Sequence, residues 1–119
     1  MKFKTVCFDL DNTICKTISN NYKKSKPNKR AISFINKLYY QGYFIKIFTS
    51  RYMGRSKDVI SSARKLDSGN TKKQLKSWGL KYHKLILGKP SYDILIDDKS
   101  LFFKKNWINK LQNILKENL

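Results

Sequence analysis

The sequence predicts a single α/β domain built on a parallel β-sheet. Three observations point to it. Short apolar, β-branched runs recur at 4–10, 43–48, 85–87 and 93–96. Segments with helical apolar spacing separate most of them, at 28–41, 57–66 and 72–78, and one more follows at 101–117. The length, 119 residues, is that of one domain. Strands that alternate with helices make a parallel sheet with right-handed crossovers, since a tight turn cannot join parallel neighbours.

Each element has its own warrant. Residues 4–10 read as a strand buried on both faces, with Cys7 a small core residue. Residues 12–27, with Asn20-Asn21, Lys23-Lys24 and Pro27, read as a polar loop or flap. The first helix begins at Asn28, a good cap, places Ile32, Ile35 and Leu38 on one face, and stops at Gly42. Tyr43 to Phe48 is the second strand. A helix over 57–66 follows a loop containing Arg51, Arg55 and Gly54. In the helix over 72–78, Thr71 and Gln74 read as a capping box and Gly79 as the stop. Leu85 to Leu87 and Asp93 to Ile96 are short strands, and the last helix groups Trp107, Ile108, Leu111, Ile114 and Leu115.

Composition narrows the function classes. With 40% apolar residues the chain can bury a core, and no apolar window reaches the ~18 residues of a membrane span. The opening Met1-Lys2-Phe3-Lys4 is too polar for a signal peptide, so a cytoplasmic location is the expectation. Cys7 and Cys15 are then expected to stay reduced, and the single His83 lacks a motif around it. The balance of 26 Lys and Arg against 8 Asp and Glu gives +18, a field that draws phosphorylated metabolites, nucleic acid or anionic lipid. A Lys-rich coding bias accounts for the same excess.

Ligands of parallel sheets bind beyond the carboxyl ends of the strands. Those ends carry Asp9-Leu10-Asp11-Asn12-Thr13, Thr49-Ser50-Arg51, Lys89-Pro90 and Asp97-Asp98. Half of the chain's eight acidic residues therefore sit at two strand ends. Asp9 and Asp11, two apart, project to one side of an extended backbone. Two carboxylates so placed repel unless a cation lies between them, and Mg²⁺ suits because it needs few protein oxygens. Lys89 and the Thr49 hydroxyl offer a charge and a donor to a phosphoryl group, leaving phosphorus open to a carboxylate oxygen.

These four segments, in this order, resemble the motifs of the haloacid dehalogenase (HAD) superfamily. Phe8-Asp9-Leu10-Asp11-Asn12-Thr13 resembles motif I, Phe48-Thr49-Ser50 motif II, Gly88-Lys89-Pro90 motif III and Leu95-Ile96-Asp97-Asp98 motif IV. The resemblance implies a Rossmann-like three-layer core with a central parallel sheet, spanning the whole chain, and a phosphatase that works through an aspartyl-phosphate. It implies Asp9 as nucleophile and metal ligand, and Asp11 as general acid and base with its carbonyl on the metal. Thr49 and Lys89 hold the phosphoryl group, and Thr13, Ser50 and Arg51 lie on the substrate side. Asp98 binds Mg²⁺ with Asp97 beside it, roles the two can exchange. The gaps between motifs leave no room for a cap domain, so the resemblance is to a capless member. The run from Thr49-Ser50-Arg51 to Asp97-Asp98-Lys99 is also similar to small HAD proteins of surface-polysaccharide synthesis.

Three functions follow for comparison. One is a Mg²⁺-dependent phosphatase acting on a small sugar phosphate. A second trims terminal phosphates from nucleic acid, which the +18 charge would favour. A third is a basic binding module without catalysis. A homo-oligomer, in which a second subunit covers the open site, is compatible with each.

Overall fold

Thr5–Asp9 forms β1, a five-residue strand. Here a computed structural model describes residues 3–116 of the chain. After β1 comes a tight turn in which the Leu10 carbonyl accepts from the amides of Thr13 and Ile14, at 3.2 and 2.8 Å. Asn12 takes a left-handed conformation there (φ 64°), which Asn tolerates better than most residues. The expected flap is more ordered than its polarity suggests. Cys15–Lys16 (β2) pairs antiparallel with Lys26–Pro27 (β3), and a 3-10 turn at Tyr22–Lys24 lies between them.

Helix α1 runs Lys29–Tyr40, and the Asn28 side chain caps it by accepting from the Ala31 amide at 3.1 Å. Its buried face is Ala31, Ile32, Phe34, Ile35 and Leu38. Gly42, at φ 98°, reverses the chain into β4, Phe44–Thr49. In β4 the residues Ile45, Ile47 and Thr49 are fully buried, while Phe44, Lys46 and Phe48 on the opposite face are only partly covered or exposed. Burying each Ile contributes on the order of 2 kcal/mol.

Helices α2 (Ile60–Asp67) and α3 (Asn70–Ser77) follow, then β5, Lys84–Leu87. The sheet has the order β1-β4-β5 with both pairings parallel, Asp9 opposite Phe48 and Thr49 opposite Leu87. This is the α/β domain with a parallel sheet that the sequence predicts. Helix α4, Trp107–Lys116, closes the core by setting the Trp107 ring near Phe8 and Phe34, at 6.0 and 6.3 Å between centroids. No helix among the described residues is long and apolar enough to cross a membrane.

Four expectations are corrected. No strand forms at 93–96, and no helix at 101–106. A strand-forming composition becomes a strand only against a neighbour, and this stretch pairs with none. It leaves Ile94, Ile96 and Phe102 at 82%, 95% and 75% exposure. Cys7 is exposed rather than core, because it lies beside Lys46 on the thinly covered face of the sheet, opposite the face that buries Phe8 and Ile47. Thr71 and Gln74 make no capping box. The Thr71 amide and hydroxyl both donate to Asp67 Oδ1, at 3.1 and 2.6 Å, so the end of α2 caps the start of α3. Gln74 is engaged elsewhere, as described next.

Candidate active site

The parallel ladder brings the ends of β1, β4 and β5 to one edge of the sheet, and a cleft of about 430 Å³ opens there. Asp9, Asp11, Ser50 and Lys89 line it, with Asn12, Asn20, Tyr22 and Tyr92 among the other lining residues. Asp9 is held on both oxygens. Lys89 Nζ donates to Oδ1 at 3.2 Å, and Thr13 Oγ1 donates to Oδ2 at 3.2 Å. The Asp9 side chain remains 38% exposed. One carboxylate is thus fixed in direction and still open to a ligand.

Lys89 is positioned by backbone geometry. Its amide donates to the Thr49 carbonyl at 3.1 Å, extending the β4–β5 ladder past the last strand residue. Burial disfavours the charge of Lys89, but hydrogen bonds to Tyr92 and Asp9 and the charge of Asp9 outweigh it. The ammonium pKa therefore lies above its ordinary value. Gly88 just before it has φ 103°, and a Cβ there would meet Ile60 Cγ1 at 3.0 Å. Gly88→Ala should cost about 1–3 kcal/mol through this left-handed strain and should displace Lys89. Thermal unfolding together with catalytic efficiency checks both parts.

Asp11 is bound differently. Its Oδ1 accepts from Arg51 Nη2 at 2.8 Å, Arg51 Nε at 3.2 Å, Thr17 Oγ1 at 2.6 Å and Cys15 Sγ at 3.5 Å. Its Oδ2 accepts only from Arg51 Nε, at 3.0 Å. Arg51 is 2% exposed and does not line the cleft. It is a buried partner of Asp11, whereas the resemblance implies a place on the substrate side. Burial opposes its charge, and the hydrogen bond and charge of Asp11 more than compensate, raising the guanidinium pKa.

Other expected residues divide in the same way. Ser50 lines the cleft, whereas Thr49 is 1% exposed, lies outside it, and accepts from the Arg51 amide at 3.2 Å. Thr13 acts on Asp9 from beside the cleft. Arg55 is tied to the Asn20 carbonyl at 3.0 Å and stacks on Tyr22 and Tyr52. Cys15 is buried against Asp11, and burial pushes its thiol pKa up, away from nucleophilic use. Tyr22 and Tyr92 had no motif to mark them. Their only signal is position, one in the flap after the first carboxylates and the other three residues past Lys89.

Asp97 and Asp98 stay out of the cleft. Asp97 is exposed and accepts from the Lys99 amide and the Ser100 hydroxyl, closing a local turn. Hydrogen bonds from Ser100 and Lys99 lower its pKa. Among the described residues no group of three or more His, Cys, Asp or Glu side chains converges on one point. The Asp11 carboxylate already serves Arg51, which leaves Asp9 as the one carboxylate facing the cleft without a guanidinium on it. As arranged, these residues do not make a ligand set for Mg²⁺.

The fold and this edge define an α/β domain with a cleft at the carboxyl ends of a parallel sheet, lined by two carboxylates and a lysine. No family model matches the chain, and no curated protein does. In fold the chain is similar to the crystal structure of a target protein from Vibrio cholerae, with a TM-score of 0.76. The two share 20% identity over 94% of this chain and 98% of that one, a likeness of fold alone.

Proposed function

We propose that the chain is a phosphomonoester hydrolase of the capless HAD type, with Asp9 as the nucleophile. The observation that carries this reading is the Asp9 carboxylate, clamped by Lys89 and Thr13 at the end of β1 and still open to the cleft. A bound phosphoryl group would meet the Lys89 ammonium, which offsets part of its charge, and the Ser50 hydroxyl, which can donate to it. An Asp9 oxygen attacks phosphorus as the bond to the leaving oxygen breaks. Asp11, two residues on, passes to that oxygen a proton brought in by the substrate monoanion, and later takes a proton from the water that releases phosphate from Asp9. The Asp11 Oδ2, with a single partner, is the oxygen free to carry that proton.

The substrate proposed is small and hydroxyl-rich, a sugar phosphate. The cleft's volume suits a single sugar phosphate, and Asn12, Asn20, Ser19 and Ser91 offer it amides and hydroxyls beside two Tyr rings. A panel of sugar phosphates, nucleotides and 5′- or 3′-phosphorylated oligonucleotides tests the choice. Highest catalytic efficiency on a sugar phosphate is expected, and efficient removal of phosphate from oligonucleotide ends would transfer the reading to nucleic acid.

Mg²⁺ belongs to the proposal as the expected cofactor, with Asp98 its additional ligand. That ligand set requires Asp98 to come to Asp9, and none of the steps above depends on it. Chelator should remove turnover and added Mg²⁺ restore it. Asp98→Asn should raise the Mg²⁺ concentration for half-maximal rate by about tenfold or more. Full rate in excess chelator would remove Mg²⁺ from the proposal and leave Lys89 as the cleft's cation.

A further inference from the structure

Arg51 is the most heavily bonded side chain near the cleft, yet no part of it lines the cleft. Its Nε and Nη2 grip Asp11, and its Nη1 donates to Gln74 Oε1 at 2.7 Å and Thr71 Oγ1 at 3.3 Å. Its Nη2 also reaches Ser25 Oγ at 3.4 Å. The plane of the guanidinium packs on Tyr22, with 4.8 Å from Cζ to the ring centroid. Gln74 in turn donates to the Tyr22 carbonyl at 2.8 Å. Helix α3, the β2–β3 hairpin and the turn after β1 therefore meet on one rigid cation.

An ion pair that served stability alone would need none of this elaboration, and a buried pair is weak support for stability in any case. What the arrangement does is select one orientation of Asp11. Oδ1 is saturated by Arg51, Thr17 and Cys15, and Oδ2 is left with one bond. We propose that Arg51 is a positioning residue that fixes the Asp11 carboxylate for proton transfer, with Gln74 and Thr71 of α3 fixing Arg51 itself. This deepens the hydrolase reading and rests on it for its kinetic consequence, but not for its structural one.

A planar fork cannot be replaced by a point charge. Arg51→Lys and Arg51→Ala should each lower kcat for an alkyl phosphate by about 10²-fold while its KM stays within about threefold, since proton transfer to the leaving oxygen is lost and binding is not. Guanidinium ion at tens of millimolar, below denaturing levels, should refill the space in Arg51→Ala and restore kcat about tenfold or more. A residue with only a scaffolding role would give no such rescue. The second readout needs no turnover. The eight acidic residues comprise seven Asp and Glu117, so Asp-labelled protein gives a ¹³C carboxyl spectrum that single substitutions can assign. The Asp11 resonance should shift in Arg51→Ala and return toward its parent position with guanidinium.

Several results overturn the proposal. One is a raised KM with kcat kept, which makes Arg51 a binding residue. Another is parent-like kcat in Arg51→Lys, the variant to use if Arg51→Ala does not fold. A third is an Asp11 resonance that neither substitution moves. If the parent hydrolyses no phosphate ester, the hydrolase reading falls and the carboxyl spectrum still decides the place of Arg51.

Discussion

Asp9→Asn should lower turnover by about 10⁴-fold or more and leave the fold standing. The amide is isosteric with the carboxylate but carries no anionic oxygen to form an acyl phosphate, so the first step has no nucleophile. Stability should change little. The Lys89–Asp9 pair spans 3.2 Å with Asp9 38% exposed, and pairs so open to water contribute about 0–1 kcal/mol. The check is single-turnover kinetics beside thermal unfolding on the same preparation. A variant that keeps more than a tenth of the parent rate would show that Asp9 does not attack. Loss of rate together with loss of fold would show that the substitution had tested the wrong property.

Asp11→Asn should divide the reaction in two. For alkyl phosphates, whose leaving oxygen needs a proton, kcat should fall about 10²–10⁴-fold. For p-nitrophenyl phosphate, whose leaving group departs unprotonated, phosphorylation of Asp9 should persist while its hydrolysis stalls. A phosphorylated Asp9 should then accumulate, visible as a burst of p-nitrophenol and an added phosphoryl mass on the peptide carrying Asp9. Equal losses on both substrates with no burst would remove Asp11 from proton transfer. The same substitution strands the charge of Arg51, which is 2% exposed, so about 3–5 kcal/mol of stability should go with it. The two neighbouring aspartates thus separate on stability as well as on kinetics.

Much of the sheet was legible in the sequence. The bounds of β1, β4 and β5 fall within a residue or so of their apolar runs, and Asn28 and Gly42 bracket α1 as their capping chemistry requires. Period and capping are local properties, and local properties can be read locally. The run Asp93 to Ile96 shows the limit, since it has a strand's composition and no partner strand beside it. Thr71 and Gln74 show another. Their spacing fits a capping box, but Asp67 reaches Thr71 first and Arg51 takes Gln74. The environment of Asp11 was the least legible part of the site. Arg51 lies forty residues away in the chain, and only the parallel pairing of β1 with β4 brings the two together.

The outer edge of β1, which pairs with no strand among the described residues, and the exposed Ile94–Leu95–Ile96 stretch should also govern how the protein behaves in bulk. An unpaired strand edge is a template for another chain, and an apolar β-forming segment without Pro is the kind of chain it accepts. Mutual repulsion from the +18 charge opposes that association. That repulsion reaches about 10 Å at 0.1 M salt and about 3 Å at 1 M. Colloidal stability should therefore fall as salt rises, the reverse of the usual salting-in of a weakly charged protein. Light scattering across a salt series would show this, and purification by high-salt elution from a cation exchanger would concentrate the chain under the conditions that favour its self-association.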